Sequence, residues 1–264
     1  MIILITAGGT TEKIDDVRAI SNNSTGRLGT AIAEAFLNSD KISIEKILYV
    51  CGQNAVVPAS DKVEAIRISG VAQLASVMEE ILTSQRIDVV VHSMAVSDYG
   101  VDSVTTRSNI RETVERYLTE TADKYRDFSP ENLASGITDY IFNNSAISNE
   151  NKLSSDINDL VINLKKTPKI IGMIKRLQPE TILVGFKLLS NSSPEELIDI
   201  GYGLLQRNSC EMVLANDLSR ITEDRHTGHL IFKDKTFETF ETKAQIADAI
   251  AAHTVELLKN KGRA

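Results

Sequence analysis

The feature that most restricts this chain is an alternation of short β-branched runs with segments of helical periodicity, sustained from the first residue to about position 95. Ile2–Thr6 fits a strand buried on both faces. Thr25–Leu37 then places Leu28, Ile32 and Phe36 at helical spacing, and Lys46–Val50 and Ala65–Ile68 read as two more strands. Val71–Leu82 sets Leu74, Val77, Met78 and Ile81 on one helical face, and Ile87–His92 is a further buried strand. Strands separated by helices need crossover connections, so the sheet is parallel and covered on both faces.

Beyond Tyr99 the pattern changes. Residues 100–150 are polar, and the helices expected there, Ile110–Tyr125 and Pro130–Asn144, carry no strong apolar stripe. Periodicity resumes at Leu160–Leu164, then Thr181–Phe186 (strand), Pro194–Asn208 (helix) and Glu211–Ala215 (strand). His229–Phe232 and Thr236–Phe240 alternate around Asp234 and Lys235 as a hairpin, and Lys243–Leu258 is a closing helix. The expected class is α/β: a Rossmann-like parallel sheet flanked by helices, one domain over 1–264, with a helical insertion at 100–150 and a small antiparallel hairpin. Open parallel sheets bind ligands beyond the carboxyl ends of their strands, so chemistry belongs in the loops after Thr6, His92, Phe186 and Ala215.

Composition excludes several classes. A net charge of -7 with interspersed signs supplies no basic face for a nucleic-acid backbone. Cys51 and Cys210 have apolar flanks and read as buried reduced thiols, as in a cytosolic protein. The opening MIILIT lacks a basic leader and cleavage site, and no apolar stretch reaches membrane-spanning length. The expectation is a soluble cytoplasmic protein with neither nucleic-acid nor membrane partners. His226 and His229 lack an intervening acid and read as turn and strand residues, so no metal ligand is assigned.

Thr6-Ala-Gly-Gly-Thr10 lets backbone N–H groups approach a phosphate, although a plain structural turn explains it equally well. A nicotinamide oxidoreductase is disfavoured at three points. G-x-G-x-x-G is missing, no acid ends the second strand (Tyr49-Val50-Cys51-Gly52), and no tyrosine is followed four residues later by lysine. The segment from Thr11 to Gly29 delivers Arg18, Asn22, Ser24 and Thr25 ahead of a helix starting near Gly26. An arginine with amide and hydroxyl donors at a helix N-terminus suits a phosphate or carboxylate. A capped helix, with Ser24 or Thr25 as N-cap and Arg18 solvated, accounts for the same residues.

ITAGGTTEKIDDVRAISNNSTGRLG resembles the amino-terminal signature of phosphopantothenate–cysteine ligases, V-R-x-[IL]-x-N-x-S-[ST]-G-[KR]-x-G after a glycine loop. Met94-Ala-Val-Ser-Asp98-Tyr, Lys152-Leu-Ser-Ser with Lys166-Thr-Pro168, Gly185-Phe-Lys-Leu188 and Ala215-Asn-Asp217 resemble further family segments in the same order. The resemblance implies that the carboxylate of 4'-phosphopantothenate attacks a nucleoside triphosphate, CTP or ATP with Mg²⁺, and that cysteine then displaces the nucleotide. It implies nucleotide contacts at Gly8, Gly9, Thr10, Met94, Asp98, Lys166, Pro168 and Phe186, and substrate contacts at Ser24, Thr25, Gly26, Ala95 and Asn216. Asn22 would hold the acyl-nucleotide, Arg18 would support it, and Lys152 would turn it over as a point charge on the developing oxyanion. A homodimer without flavin, beside a separate decarboxylase, is the implied setting. The remaining classes are an NAD(P)-dependent oxidoreductase and a non-catalytic nucleotide-binding α/β protein.

Two departures stand out. Bacterial bifunctional members continue the flap lysine as K-x-K-K, whereas this chain reads Lys152-Leu-Ser-Ser, which is more like the eukaryotic and stand-alone branch. That leaves the choice between CTP, favoured here, and ATP open. The stretch between Tyr99 and Lys152 is also too long for a plain loop, and a helical lid or a subunit interface is expected there.

Overall fold

The structure is a computed structural model that describes residues 1–123, 129–147, 153–154, 156–222 and 225–262. The chain divides into two compact units, one formed by 1–11, 21–97 and 168–264, the other by 12–20 and 98–167.

The first unit is built on β1 (Ile2–Ala7), and its two-faced apolar sequence dictates its central place. Ile3, Leu4, Ile5 and Ala7 are fully buried, Ile3 and Ile5 on one face and Leu4 on the other. A short two-stranded ribbon, β2 (Thr11–Lys13) with β3 (Ala19–Ser21), follows within what the sequence reads as loop, and its residues 12–20 belong to the second unit. These strands are too short and too exposed to carry a periodicity that sequence reading could detect. Next come α1 (Arg27–Leu37), β4 (Lys46–Gly52), β5 (Val63–Ile68), α2 (Val71–Ser84) and β6 (Val89–His92), within a few residues of the expected bounds.

The second unit contains β7 (Tyr99–Thr106), α3 (Arg107–Glu120), α4 (Pro130–Asn144) and β8 (Leu160–Lys166). Strands β7 and β8 form an antiparallel ribbon, with Tyr99 opposite Lys166 and Thr106 opposite Leu160. The stretch expected to be helical therefore holds one strand of that ribbon and two helices. Polar Asp102, Ser103, Thr105 and Thr106 concealed β7. Helix α3 ends at Glu120 rather than reaching Tyr125, which lies outside the described residues. The missing apolar stripe is real: α3 buries Thr113 alone and α4 buries no residue. Thr106 and Ser129 cap the two helices by accepting from Asn109 N and Asn132 N, so these local signals hold where burial does little.

The first unit resumes with α5 (Ile170–Leu177), β9 (Ile182–Leu189), α6 (Pro194–Asn208), β10 (Met212–Ile221), β11 (His226–Phe232), β12 (Phe237–Phe240) and α7 (Lys243–Asn260). Its eight-stranded sheet has the order β12-β11-β10-β9-β6-β1-β4-β5. The six strands from β10 to β5 are parallel, while β11 pairs antiparallel with β10 and β12 antiparallel with β11. The expected hairpin is thus an extension of the main sheet rather than a separate attachment. Helices α1 and α7 cover one face through Ile32, Phe36, Ile246 and Ile250. On the other face lie α2, α5 and α6, through Leu74, Met78, Ile174 and Leu205.

Candidate functional site

Strand order reverses between β1 and β6, because the chain runs from β1 outward through β4 and β5 and returns on the far side of β1 as β6. In such sheets the loops on either side of the reversal diverge and leave a crevice at the carboxyl edge. Here those loops are the glycine loop after β1 and Ser93–Ser97 after β6.

The two loops are laced together. Ala95 N donates to Gly8 O (2.8 Å), Thr10 N to Ala95 O (3.1 Å) and Ser97 N to the Thr10 hydroxyl (2.9 Å). Thr10 Oγ1 donates to Ser97 Oγ (3.1 Å), and its side chain is fully buried. Ser93 donates through both N and Oγ to Thr6 O (3.2 and 2.7 Å). Thr6 Oγ1 in turn lies 2.9 Å from His92 Nδ1 and accepts from Met94 N (3.3 Å). Burial pushes the His92 imidazole down to about 4, so the ring is neutral at physiological pH. Ser93 and Ser97 were not singled out from the sequence; the matched hydroxyls of Thr6 and Thr10 across the reversal are the signal that marks them.

Asn22 is pinned to this lattice. Its backbone N donates to Thr10 O (3.2 Å) and its side-chain Nδ2 to Ala95 O (3.1 Å). The Asn22 side-chain carbonyl oxygen is thereby oriented by an amide that is already committed. Gly9 is required there, since any Cβ would collide with Asn22 O. Gly8 and Gly26 take positive φ of 79° and 74°, the left-handed region where glycine is unstrained. Gly26 is the N-cap of α1 and makes no side-chain cap, so neither Ser24 nor Thr25, both exposed, fills the capping role. A Cβ on Gly29 would lie 2.7 Å from Ala7 Cβ, so Gly29 sets the close approach of α1 to β1. The tasks of a G-x-G-x-x-G turn are therefore present but split, Gly8 and Gly9 before an excursion and Gly26 and Gly29 after it.

At the carboxyl end of β4, Arg67 Nη1 donates to Gly52 O, Gln53 O and Ala55 O at 2.8–2.9 Å. A cation bound to three carbonyls fills the position where an adenosine-ribose acid would stand in a nicotinamide enzyme.

Phe186 and Asn216 lie within strands rather than in loops, because β9 and β10 continue past them to Leu189 and Ile221. Asn216 is buried, and its Nδ2 donates to His226 Nε2 (3.0 Å). Burial pushes His226 down to about 4, which keeps the accepting lone pair available. Asp217 organises the neighbouring turns: it accepts from Asn191 N (3.2 Å), Ser192 N (2.6 Å), Ser219 N (2.8 Å) and Ser219 Oγ (2.6 Å). Those donors hold its carboxyl down to about 2.

The first unit thus brings together Gly8, Gly9, Thr10, Asn22, Gly26 and Ala95, beside buried Met94. Exposed Pro168 opens the segment leading into α5. Arg18, Asp98 and Lys166 belong to the second unit. Asp98 and Lys166 share one end of the ribbon, where Thr167 N donates to Asp98 O (3.1 Å). Arg18 is not simply solvated: Nε and Nη2 bind Asp15 Oδ2 at 3.0 and 2.6 Å. Lys152 lies outside the described residues. A hollow of about 390 Å³ lined by Met212, Phe232, His253 and Leu257 lies at the amino ends of the parallel strands, the edge opposite these loops. Glu211, Lys233, Asp234, Thr236, Glu256 and Asn260 also line it, but the glycine loop, Asn22 and Ala95 lie at the switch point and not there.

Sheet order and laced loops define a Rossmann-like α/β domain with a crevice at the β1/β6 switch point. Residues 1–131 and 133–258 match the family described as DNA/pantothenate metabolism flavoprotein C-terminal domain, and the chain belongs to that family. It is similar to a crystal structure of the DNA/pantothenate metabolism flavoprotein from Streptococcus pneumoniae, with 31% identity and a TM-score of 0.75 over 96% of this chain and 97% of that one. It is 26% identical to the coenzyme A biosynthesis bifunctional protein CoaBC of Methanocaldococcus jannaschii, over 98% of this chain and 51% of that protein. The chain thus spans about half the length of such relatives. A structure of Cab2 H337A in complex with phosphopantothenate-cysteine shares the fold at TM-score 0.62 and 16% identity, over 98% of this chain and 88% of that one.

Proposed function

We propose that this chain joins 4'-phosphopantothenate to L-cysteine through an acyl-nucleotide, with CTP favoured over ATP, releasing pyrophosphate and nucleoside monophosphate on the route to coenzyme A. The observation that carries the reading is Asn22, fixed by Thr10 and Ala95 inside a glycine-lined crevice in a chain of this family.

A carboxylate is a poor acyl donor, and activation at the α-phosphate turns its oxygen into a leaving group. Asn22 holds the acyl-nucleotide, Arg18 supports it, and Lys152 stabilises the oxyanion that forms when the cysteine amine adds. Gly8, Gly9, Thr10, Met94, Asp98, Lys166, Pro168 and Phe186 line the nucleotide, and Ser24, Thr25, Gly26, Ala95 and Asn216 line the phosphopantothenate. Oriented donors act here on charge that appears only in the transition state. Among the described residues no cluster of three or more His, Cys, Asp or Glu could hold a metal ion. Mg²⁺ carried in by the triphosphate and water would neutralise phosphate charge. The protein would act as a cytoplasmic homodimer whose product, still carrying the cysteine carboxylate, is passed to a decarboxylation step, with the polar insertion as lid or subunit contact. Among the described residues no helix is long and apolar enough to cross a membrane.

The test is pyrophosphate release from CTP or ATP, in the presence of phosphopantothenate and Mg²⁺ and without cysteine. Release that depends on phosphopantothenate supports the reading, and folded protein that releases none with either triphosphate would refute it.

A further inference from the structure

Arg67 is an exposed residue of β5, yet it commits one nitrogen to a turn of the neighbouring strand. Nη1 donates to Gly52 O (2.8 Å), Gln53 O (2.9 Å) and Ala55 O (2.8 Å). That turn already has a closing bond of its own, Ala55 N to Gly52 O (3.1 Å). What the guanidinium adds is a fixed position for residues 52–56, and these touch both halves of the split glycine turn. A Cβ on Gly8 would lie 2.7 Å from Ala55 Cβ, and one on Gly26 would lie 3.0 Å from the same methyl group. A Cβ on Gly52 would collide with Gly9 O. Val56 N donates to Thr25 O (3.0 Å), and Val56 O accepts from Thr30 Oγ1 (3.0 Å) on α1 and from Tyr49 OH (3.2 Å). The buried Ala55 methyl is thus seated against Gly8 and Gly26 together, on a turn that α1 and Arg67 both hold.

We propose that Arg67 is a positioning residue: by clamping the 52–56 turn it sets the spacing between Gly8 and Gly9, on the nucleotide side, and Thr25 and Gly26, on the phosphopantothenate side. This rests on the ligase reading above. The chain leaves the first unit between the two halves, for residues 12–20, so continuity of the backbone does not set that spacing. Cross-contacts must do so: Asn22 N on Thr10 O, and the Ala55 methyl against Gly8 and Gly26. The first chemical step joins the carboxylate of one ligand to the α-phosphate of the other. Its rate therefore depends on how closely the two halves present them.

Arg67→Met keeps an unbranched side chain and removes the donor, and at an exposed position water can take over the three carbonyls, so the variant should fold. Hydrogen exchange at the Ala55 and Val56 amides should accelerate in the unliganded full-length variant. Pyrophosphate release at saturating phosphopantothenate and triphosphate should slow about 10–100-fold, the usual cost of misplaced reacting groups. KM for each ligand should stay within about twofold, because each half still binds its own ligand. Arg67→Lys offers an ammonium whose three N–H groups can serve the same carbonyls, and should recover most of the rate. In an Ala55→Val background, where the larger side chain already displaces the glycine segments, Arg67→Met should add nothing. Equal losses with Met and Lys, or unchanged exchange at Ala55 and Val56, would overturn the role of Arg67 alone. A raised KM for one ligand at unchanged kcat would make Arg67 a direct ligand contact and overturn it too. Absence of pyrophosphate release from the wild-type chain would overturn the ligase reading and this role together.

Discussion

The two units obey different rules of construction. The first is held by apolar burial: β1, β4, β6, β9 and β10 are lined with Val, Ile and Leu at or near zero exposure, and helices cover both faces. The second relies on hydrogen bonds and ion pairs, the β7–β8 ladder, two N-capped helices and the Asp15–Arg18–Leu153 tie, while α4 buries nothing. Hydrophobic burial gives the first a rigid frame on which loops can be set accurately. Sparse burial leaves local stability low, and segments that must move are drawn from that end of the scale.

The contrast is broken most sharply at the two residues given the chemistry. Asn22→Asp sets a carboxylate against Ala95 O and should reduce pyrophosphate release by about 10²–10³-fold, the effect of removing one oriented donor. Lys152→Gln should spare that release and let the acyl-nucleotide accumulate, detected by rapid quench and mass spectrometry. If both variants lose the same step to the same degree, the two halves of the reaction are not divided between these residues.

A second pair of variants compares packing. Gly29→Ala forces a methyl group against Ala7 and should cost about 1–3 kcal/mol by thermal unfolding, the range for overpacked cores. Phe142→Ser on α4, at 56% exposure, should change stability by less than about 0.5 kcal/mol. A large effect at Phe142 would mean that this face is covered in solution, as the proposed subunit contact requires.

Stability should also fall in acid from the first unit. His92 and His226 are held neutral near 4. Their folded values lie below the ordinary value of about 6.5, so their contribution is full above that pH and is lost as pH drops toward 4. Asp217, held at about 2, loses its contribution over a lower window, from the ordinary carboxylate value of about 3.9 downward. His92→Asn should flatten the upper part of the stability–pH curve and Asp217→Asn the lower part. Curves that remain unchanged would assign the acid lability elsewhere.

Legibility in the sequence followed the same division. Strands such as Ile2–Ala7 and helices such as Pro194–Asn208 were readable because burial imprints period 2, period 3.6 or a continuous apolar run. Strand β7 was not, since Tyr99–Thr106 has a solvated face and many hydroxyls, and its partner β8 is distant in the chain. Within the candidate site, glycines and Asn22 stood out through spacing and family resemblance. Asp15, Ser93 and Ser97 did not, because each works through a contact with residues remote in sequence or unremarkable in type. The glycine loop acts with a second pair: Gly8 and Gly26 both approach Ala55, and Gly29 approaches Ala7.

The most direct measurement is a full reaction with phosphopantothenate, cysteine, Mg²⁺ and CTP or ATP, followed by quantification of every product. The account predicts phosphopantothenoylcysteine, pyrophosphate and nucleoside monophosphate in equal amounts. Nucleoside diphosphate with inorganic phosphate, or no amide product from folded protein, would contradict it.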